Sequence, residues 1–374
     1  MATADQDRLT ATYAARIRRA SHLARQAGID ALLISPGSDL RYLIGYEAKP
    51  LERLTCLVIP AHGEPVLVAP RLELLAAQDS PAEGAGVSIR TWGETDDPYA
   101  LTASLIGAAD VLAVDGRMWA DKTLAFRDAM PSSRLITARQ VIEEMRIIKD
   151  AAEIAELQAA GAAIDSVHAQ VPGLLRAGRT EREVGARIAD LITQAGHVQV
   201  DFVIVASGPN AASPHHDVSD RPLAMGDCVV VDIGGMLPTG YRSDCTRTYH
   251  LGAPSQEYAD RYAALQEAQQ LAVEHVRAGV TCESVDEVAR AHLRSAGIDG
   301  LFIHRIGHGI GLESHEEPYM VSGNARLVEP GMAFSIEPGF YDEGRHGARI
   351  EDIVIATDDG CIVVNHQPHE LVIA

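Results

Sequence analysis

Two pairs of acidic residues stand where apolar residues are expected. Asp232 interrupts the run VVVDIGG, and Asp244 follows a short turn later in RSDCTRT. Further on, Glu337 lies in AFSIEPG and Glu351 in ARIEDIV, again on successive strand-like segments joined by a short glycine-containing connection. An isolated charge in a β core is neutralised or destabilises the fold, so buried carboxylates are usually paired or bound to metal. Facing strands of a hairpin can turn their side chains toward one another, and two such hairpins could gather four carboxylates. Four unpaired anions repel strongly, and a pair of divalent cations is the simplest neutraliser. His308, in the glycine-flanked GHGIG, supplies a nitrogen ligand. An oxygen-rich set with one imidazole suits Mn, Co or Zn, and two metals about 3.5 to 4 Å apart can activate water and polarise a carbonyl. The predicted chemistry is hydrolysis.

Blander readings stand beside this one. A single Asp in a strand can end the strand or pair with a nearby arginine; five such residues in this arrangement point to metal. Gly307, Gly309 and Gly311 do not complete a GxGxxG pattern, and the local order of elements is wrong for a phosphate loop. Cys245 adjoins Asp244 but alternates onto the opposite strand face, which makes it a core residue. His304 reads as structural.

The elements that must position these residues fall into two series. The first third alternates helix and strand. Tyr13, Ile17, Ala20 and Leu23 recur at helical spacing, Gly28 stops that helix, and the apolar run Ala31–Ile34 follows. Further strands are expected over 54–59, 66–69, 87–92 and 111–114, which gives an α/β domain. A charged helical stretch around Arg139–Asp150 marks the boundary, so residues 1–145 and 146–374 are expected to form separate domains. The second opens with Ile154, Leu157, Gly161, Ile164 and Val167 on one helix face. Thr180 with Glu183 forms a capping box for a second helix, a third runs from about Tyr258 to Val276, and Ser284 with Glu287 caps a fourth that Gly297 ends. Between and after these helices lie the β-rich segments DFVIVASG, DCVVVDIGG, YRSDCTRTYHLG, MAFSIEPGFY and ARIEDIVIATDDG. They predict an α+β domain of mainly antiparallel strands.

The chain is 374 residues long and 47% hydrophobic, enough for more than one core. Its net charge of −20 repels phosphate backbones and anionic lipid, which argues against nucleic-acid and membrane-surface roles. The five cysteines are scattered with no CxxC pair and read as reduced thiols of a cytoplasmic protein. The N-terminal segment MATADQDRLTATYAARIRRA lacks the pattern of a signal peptide, and no stretch reaches about 18 unbroken apolar residues.

The segments VDIGG, SDCTRT, GHGIGLESHEEP, IEPGFY and RIED together resemble the metal motifs of the M24 metallopeptidases, the family of methionine aminopeptidase, Xaa-Pro aminopeptidase and prolidase. The resemblance spans roughly residues 145–374, and SPGSDLRYLIGY resembles the creatinase-like N-terminal domain of the proline-directed members. It implies a pita-bread catalytic domain behind an α/β N-terminal domain, and a metal set of Asp232, Asp244, His308, Glu337 and Glu351. In that set Asp232 and Glu337 each hold mainly one metal, Asp244 and Glu351 bridge both, and His308 completes one coordination sphere. It further implies that His215, in ASGPNAASPHH, delivers a proton near the leaving nitrogen, with His216 as the alternative match. His315 would contact the scissile carbonyl, Glu337 would shuttle the proton of the attacking water, and Arg349 would support the site from behind.

Because methionine aminopeptidases of this family usually lack the extra domain, the resemblance points to bonds preceding proline, and the length to an Xaa-Pro dipeptidase. Arg326, in NARLVEPG, is the candidate for the proline carboxylate; the positions a little earlier where some prolidases carry an arginine read Ser322, Gly323 and Asn324, which counts against a strict dipeptide preference. The implied cofactors are two divalent ions, Mn first, and the implied assembly is a cytoplasmic homodimer acting on short proline-containing peptides. The alternatives are an Xaa-Pro aminopeptidase, a metal-dependent hydrolase of a small non-peptide amide, and a non-catalytic binding module of the same fold.

Overall fold

The computed structural model describes residues 2–374, with side chains from Arg8 onward; Met1, where the expectation about a leader begins, lies outside the described residues. The chain divides into a first unit ending at Arg146 and a second spanning Ile147–Ala374.

The first unit alternates as its sequence suggests: α1 (Ala2–Gln26), β1 (Ala31–Ile34), α2 (Ser38–Ile44), β2 (Cys56–Pro60), β3 (Val66–Pro70), α3 (Leu74–Gln78), β4 (Ser88–Trp92), α4 (Pro98–Ile106), β5 (Val111–Val114), α5 (Ala120–Ala129), β6 (Arg134–Thr137) and α6 (Arg139–Arg146). Its strands form one mixed sheet in the order β4-β3-β2-β1-β5-β6. The edge strand β6, absent from the sequence reading, is only four residues long and carries no fully buried side chain.

The second unit holds α7 (Ala151–His168), α8 (Glu181–Gln194), β7 (Gln199–Ser207), β8 (Cys228–Met236), β9 (Arg242–His250), α9 (Gln256–His275), α10 (Cys282–Ser295), β10 (Gly307–Gly309), β11 (Glu316–Met320), β12 (Ala333–Ile336), β13 (Gly339–Asp342), β14 (His346–Arg349), β15 (Asp352–Ala356), β16 (Cys361–Val363) and β17 (Val372–Ile373). A sheet β17-β9-β8-β7 carries α7 and α8: Ile164, Val167, Val184 and Ile188 pack against Val229, Val231, Ile233, Cys245 and Tyr249. A sheet β11-β10-β12-β15-β16 carries α9 and α10: Leu265, Ala268, Val285 and Ala289 pack with Phe334, Ile336 and Val354. Each sheet thus buries one face under a helix pair, and its other face is free to hold polar groups.

The capping box of Thr180 and Glu183 is present at α8. At α10 the sequence expectation is corrected. The helix begins one turn earlier than Ser284, with Thr281 as N-cap accepting from the Ser284 amide, because Thr281 has the extended backbone a cap requires. Gly297, just past the end, takes φ +71° as expected of a residue closing a helix. All five cysteines are free thiols, four of them buried. Among the described residues no helix is long and apolar enough to cross a membrane.

Candidate metal centre

Strand alternation puts the first two carboxylates on one face. Along β8, Val229, Val231 and Ile233 point into the core under α7 and α8, so Asp232 and Gly234 point the other way. Along β9, Cys245 and Tyr249 enter that same core, which leaves Asp244, Thr246 and Thr248 on the face of Asp232. The register pairs Asp232 with Thr246 and Asp244 with Gly234, so the two acids are offset by two residues and do not oppose one another. Cys245 is a core residue, as its alternation requires.

The second pair is built differently from the expectation of two carboxylates within strands. Glu337 lies between β12 and β13, and Glu351 between β14 and β15. The pairing Ile336↔Asp352 on one side of the gap and Gly339↔Arg349 on the other belongs to the same register. Glu337 and Glu351 therefore face each other where one long hairpin loses its ladder. Pro338 contributes to the break because it has no amide hydrogen to donate. The freed backbone bonds elsewhere: Glu337 N–H donates to Ile306 O at 2.7 Å and Glu351 N–H to Thr246 O at 3.1 Å. The second of these bonds carries Glu351 onto the face of Asp244.

His308 enters on β10. Its Nδ1 lies 3.1 Å from the Gly309 carbonyl, which only accepts, so Nδ1 carries the proton and Nε2 keeps a free lone pair. That Nε2 is 3.3 Å from Glu337 Oε1 and 3.7 Å from Asp244 Oδ2. Ligand atoms of Asp244, His308 and Glu351 all lie within 4.8 Å of one another, and all three residues are buried. The His308 tautomer is the one a metal needs.

Electrostatics show that the four carboxylates form one cluster. Burial first, then Glu351, Asp232 and Glu337, push the Asp244 carboxyl well above its usual range. Burial, then Glu337 and Asp232, do the same to Glu351. Glu337 is pushed up to about 7 by burial, against the opposing pull of Arg349. Asp232 Oδ1 is buried and, among the described residues, has no hydrogen-bond partner. An unpartnered carboxylate oxygen, three further carboxylates and an imidazole with a free Nε2 fit divalent cations of the hard-to-intermediate class.

Arg349 ties this cluster together. It donates to Asp232 Oδ2 at 2.6 Å, Tyr341 Oη at 2.8 Å, Thr246 Oγ1 at 3.1 Å and Pro214 O at 3.3 Å. Thr246 in turn donates to Glu351 Oε2 at 2.7 Å, and Tyr341 Oη lies 2.8 Å from His304 Nε2. Burial and the Arg349 cation hold His304 down at about 4, so it is neutral.

The remaining predicted residues sort as follows. The His315 ring packs edge-on to that of His308, with centroids 3.8 Å apart. Glu316 beside it is paired with the buried Lys149 at 2.8 Å. His215 is exposed, whereas His216 is bound to Glu181 at 2.7 Å, which distinguishes the two histidines. Arg326 lies in the loop bonded to the first turn of α10 through Cys282 N–H, with its guanidinium 4.0 Å from Glu329. Arg305 was missed by the sequence reading. Its guanidinium stacks over Tyr319 at 4.2 Å, and its charge reaches His308, His315 and Glu337. Tyr341 and Thr246 were missed as well, although Thr246 shares the β9 alternation of Asp244.

Residues 155–358 match the model of metallopeptidase family M24, and residues 16–148 match that of the creatinase/prolidase N-terminal domain. A probable dipeptidase PepE of Mycobacterium tuberculosis is 51% identical over 362 residues, covering 96% of each chain. An Xaa-Pro dipeptidase of Lactobacillus helveticus is 35% identical over 353 residues, covering 91% of this chain and 94% of the other. The crystal structure of dipeptidase PepE from Mycobacterium ulcerans superposes with a TM-score of 0.94 at 52% identity, covering 97% of this chain and 98% of that one.

Proposed function

Because the chain belongs to metallopeptidase family M24 and carries a creatinase-type N-terminal domain, we propose that it is a dinuclear Xaa-Pro dipeptidase. The observation that carries this reading is the gathering of four carboxylates, the free Nε2 of His308 and the His315 ring in one cluster. Asp232, Asp244, His308, Glu337 and Glu351 would hold two divalent ions, with Mn as the native pair. When bound, such ions lower the pKa of the attacking water and polarise the scissile carbonyl.

The protein side chains supply the rest. Glu337, hydrogen-bonded by Ser335 at 3.1 Å, takes the proton from the attacking water. His315 orients the scissile carbonyl. His215, on a loop held against Arg349, protonates the departing prolyl nitrogen. That nitrogen carries no hydrogen in the substrate, so the enzyme must recognise the ring; as the C–N bond breaks the nitrogen takes up the proton, and proline leaves as a secondary amine. A free dipeptide also presents a carboxylate. Arg305 is a better candidate for it than Arg326, because its charge reaches His308, His315 and Glu337 and its guanidinium stacks on Tyr319.

The reading keeps residues 1–145 as the N-terminal domain and 146–374 as the catalytic domain, in a cytoplasmic homodimer. It is tested by stripping the protein of metal and following proline release from Ala-Pro, Met-Pro and Ala-Pro-Ala, with and without Mn, Co or Zn. Metal-dependent cleavage of the dipeptides, lost in Asp244→Ala, is expected. Attack on the first bond of the tripeptide would reassign the chain as an Xaa-Pro aminopeptidase. Inactivity on all three with metal bound would redirect the search to small non-peptide amides.

A further inference from the structure

The carboxylate of Glu181, at the first position of α8, is fully buried and lies outside the metal cluster. Among the described residues its donors come from one segment, Ser207 to Ser219. Oε1 accepts from Ser207 N–H at 2.8 Å, Ser207 Oγ at 2.7 Å and Asn210 Nδ2 at 3.0 Å. Oε2 accepts from His216 Nε2 at 2.7 Å, Ser219 N–H at 3.1 Å and Ser219 Oγ at 2.6 Å. Burial alone would raise this carboxyl, but the bonds from Ser219, Ser207 and His216 outweigh it and hold it down at about 2. A buried anion satisfied this completely fixes the groups around it, since each donor would be left unpaired if the segment moved.

The opposite side of the same segment is fixed by β14. Arg349 donates to Pro214 O at 3.3 Å, and a Cβ on Gly347 would stand 2.1 Å from Ala211 O, so the backbones are in direct contact. His215 lies between these two anchors. The residue before it is bonded to Arg349, the residue after it to Glu181, and His215 itself is left exposed. Such bracketing is more than a surface loop requires for stability; it sets the direction of the one side chain that neither anchor uses.

We propose that Glu181 is a positioning residue for His215, acting through His216 and Ser219 to hold the imidazole where it meets the prolyl nitrogen. This inference rests on the role given above to His215. The test is a double-mutant cycle on Ala-Pro hydrolysis with Glu181→Gln and His215→Ala, with metal content measured for each protein. Glu181→Gln turns one of the two carboxylate oxygens into an amide donor that meets at least three of these six donors, and it is expected to lower kcat between about tenfold and 10²-fold, the scale for displacing a reacting group by ~1 Å. KM and bound metal should move little. In the His215→Ala background the further loss should be less than about twofold. The full loss in that background would overturn the proposal. If Glu181→Gln does not fold, Ser219→Ala and His216→Leu enter the same cycle, with His216→Gln, which keeps an N–H donor, expected to restore much of the rate. Hydrogen exchange separates this proposal from the functional reading. Even if wild type fails to cleave any Xaa-Pro substrate, amides of Ser213–Asp217 should exchange faster in these variants while α8 stays protected, and unchanged exchange would overturn the proposal.

Discussion

Arg349 Nη2 donates to Asp232 Oδ2 at 2.6 Å, and this bond leaves Asp232 Oδ1 as the buried oxygen with no hydrogen-bond partner among the described residues. The guanidinium selects which oxygen remains free, and its other bonds to Tyr341, Thr246 and Pro214 keep it from turning away. A lysine carries the charge but cannot make four bonds in those directions. Arg349→Lys is therefore expected to weaken metal binding by about 10- to 100-fold. Competition against a chromophoric chelator measures this directly, and an unchanged affinity would show that Asp232 needs no such orientation.

Without cations the four carboxylates destabilise the fold they sit in. Burial and the charges of Glu351, Asp232 and Glu337 all push the Asp244 carboxyl upward. Asp244→Asn keeps its shape and removes one charge. The stripped variant should melt at a higher temperature than stripped wild type, and added Mn should raise its midpoint less than it raises that of wild type. A stripped variant that melts lower would mean that Asp244 makes a stabilising contact apart from the metal.

Much of this centre was legible in the sequence, for an identifiable reason. Asp232 and Asp244 interrupt β-branched runs, and alternation alone places Asp244 and Cys245 on opposite faces. The break in the second hairpin was harder to see, because AFSIEPGFY reads as one strand until Pro338 is weighed as a ladder breaker. Thr281 lost to Ser284 as the cap because TCES has no acid at the third helical position and SVDE has one. Glu181 has the sequence context of an ordinary first-turn acid beside a helix dipole, and nothing local distinguishes it from one that gathers Ser207, His216 and Ser219. Arg305 and Tyr341 acquire a place only when β10, β11 and β13 come together, so no periodicity could have singled them out.

Arg305 predicts a split between binding and turnover. With its guanidinium on the substrate carboxylate, Arg305→Gln should raise KM for Ala-Pro by about tenfold or more while kcat changes little, as one charge-assisted bond is lost equally from ground and transition states. Hydrolysis of Ala-Pro-amide, which has no carboxylate, should not respond. An equal effect on both substrates would remove Arg305 from the carboxylate site, and Arg326→Gln would be assayed next.

A buried neutral histidine sets part of the acid limit. His168 is held down at about 3 by burial and by the Arg247 cation, with Nε2 donating to Cys245 O and Nδ1 accepting from Tyr249 Oη, each at 3.0 Å. The unfolded chain binds this proton near pH 6.5 and the folded one does not, so stability is full above that pH and falls as pH drops toward 3. Between pH 7 and pH 5 this group alone should remove about 2 kcal/mol from the unfolding free energy. His168→Gln should flatten that part of the profile in urea titrations, even if it lowers stability at pH 7. A profile of unchanged slope would assign the acid sensitivity to other groups.

The glycines around His308 make the last prediction a steric one. A Cβ at Gly307 would stand 1.8 Å from Ser335 O, and one at Gly309 would stand 2.3 Å from Glu317 O, in both cases backbone that cannot swing aside. β10 is thus clasped between β11 and β12 closely enough that His308 N–H reaches Ser335 Oγ at 3.0 Å. Gly307→Ala must push β10 away from β12, costing about 1–3 kcal/mol by overpacking. The same shift moves His308 Nε2 away from Glu337, whereas Gly323→Ala, at φ +86° with nothing near its Cβ, strains a turn without touching the centre. Gly307→Ala should therefore lose metal affinity as well as stability, and Gly323→Ala stability alone. Equal metal affinity in the two variants would show that the position of His308 tolerates movement of its strand.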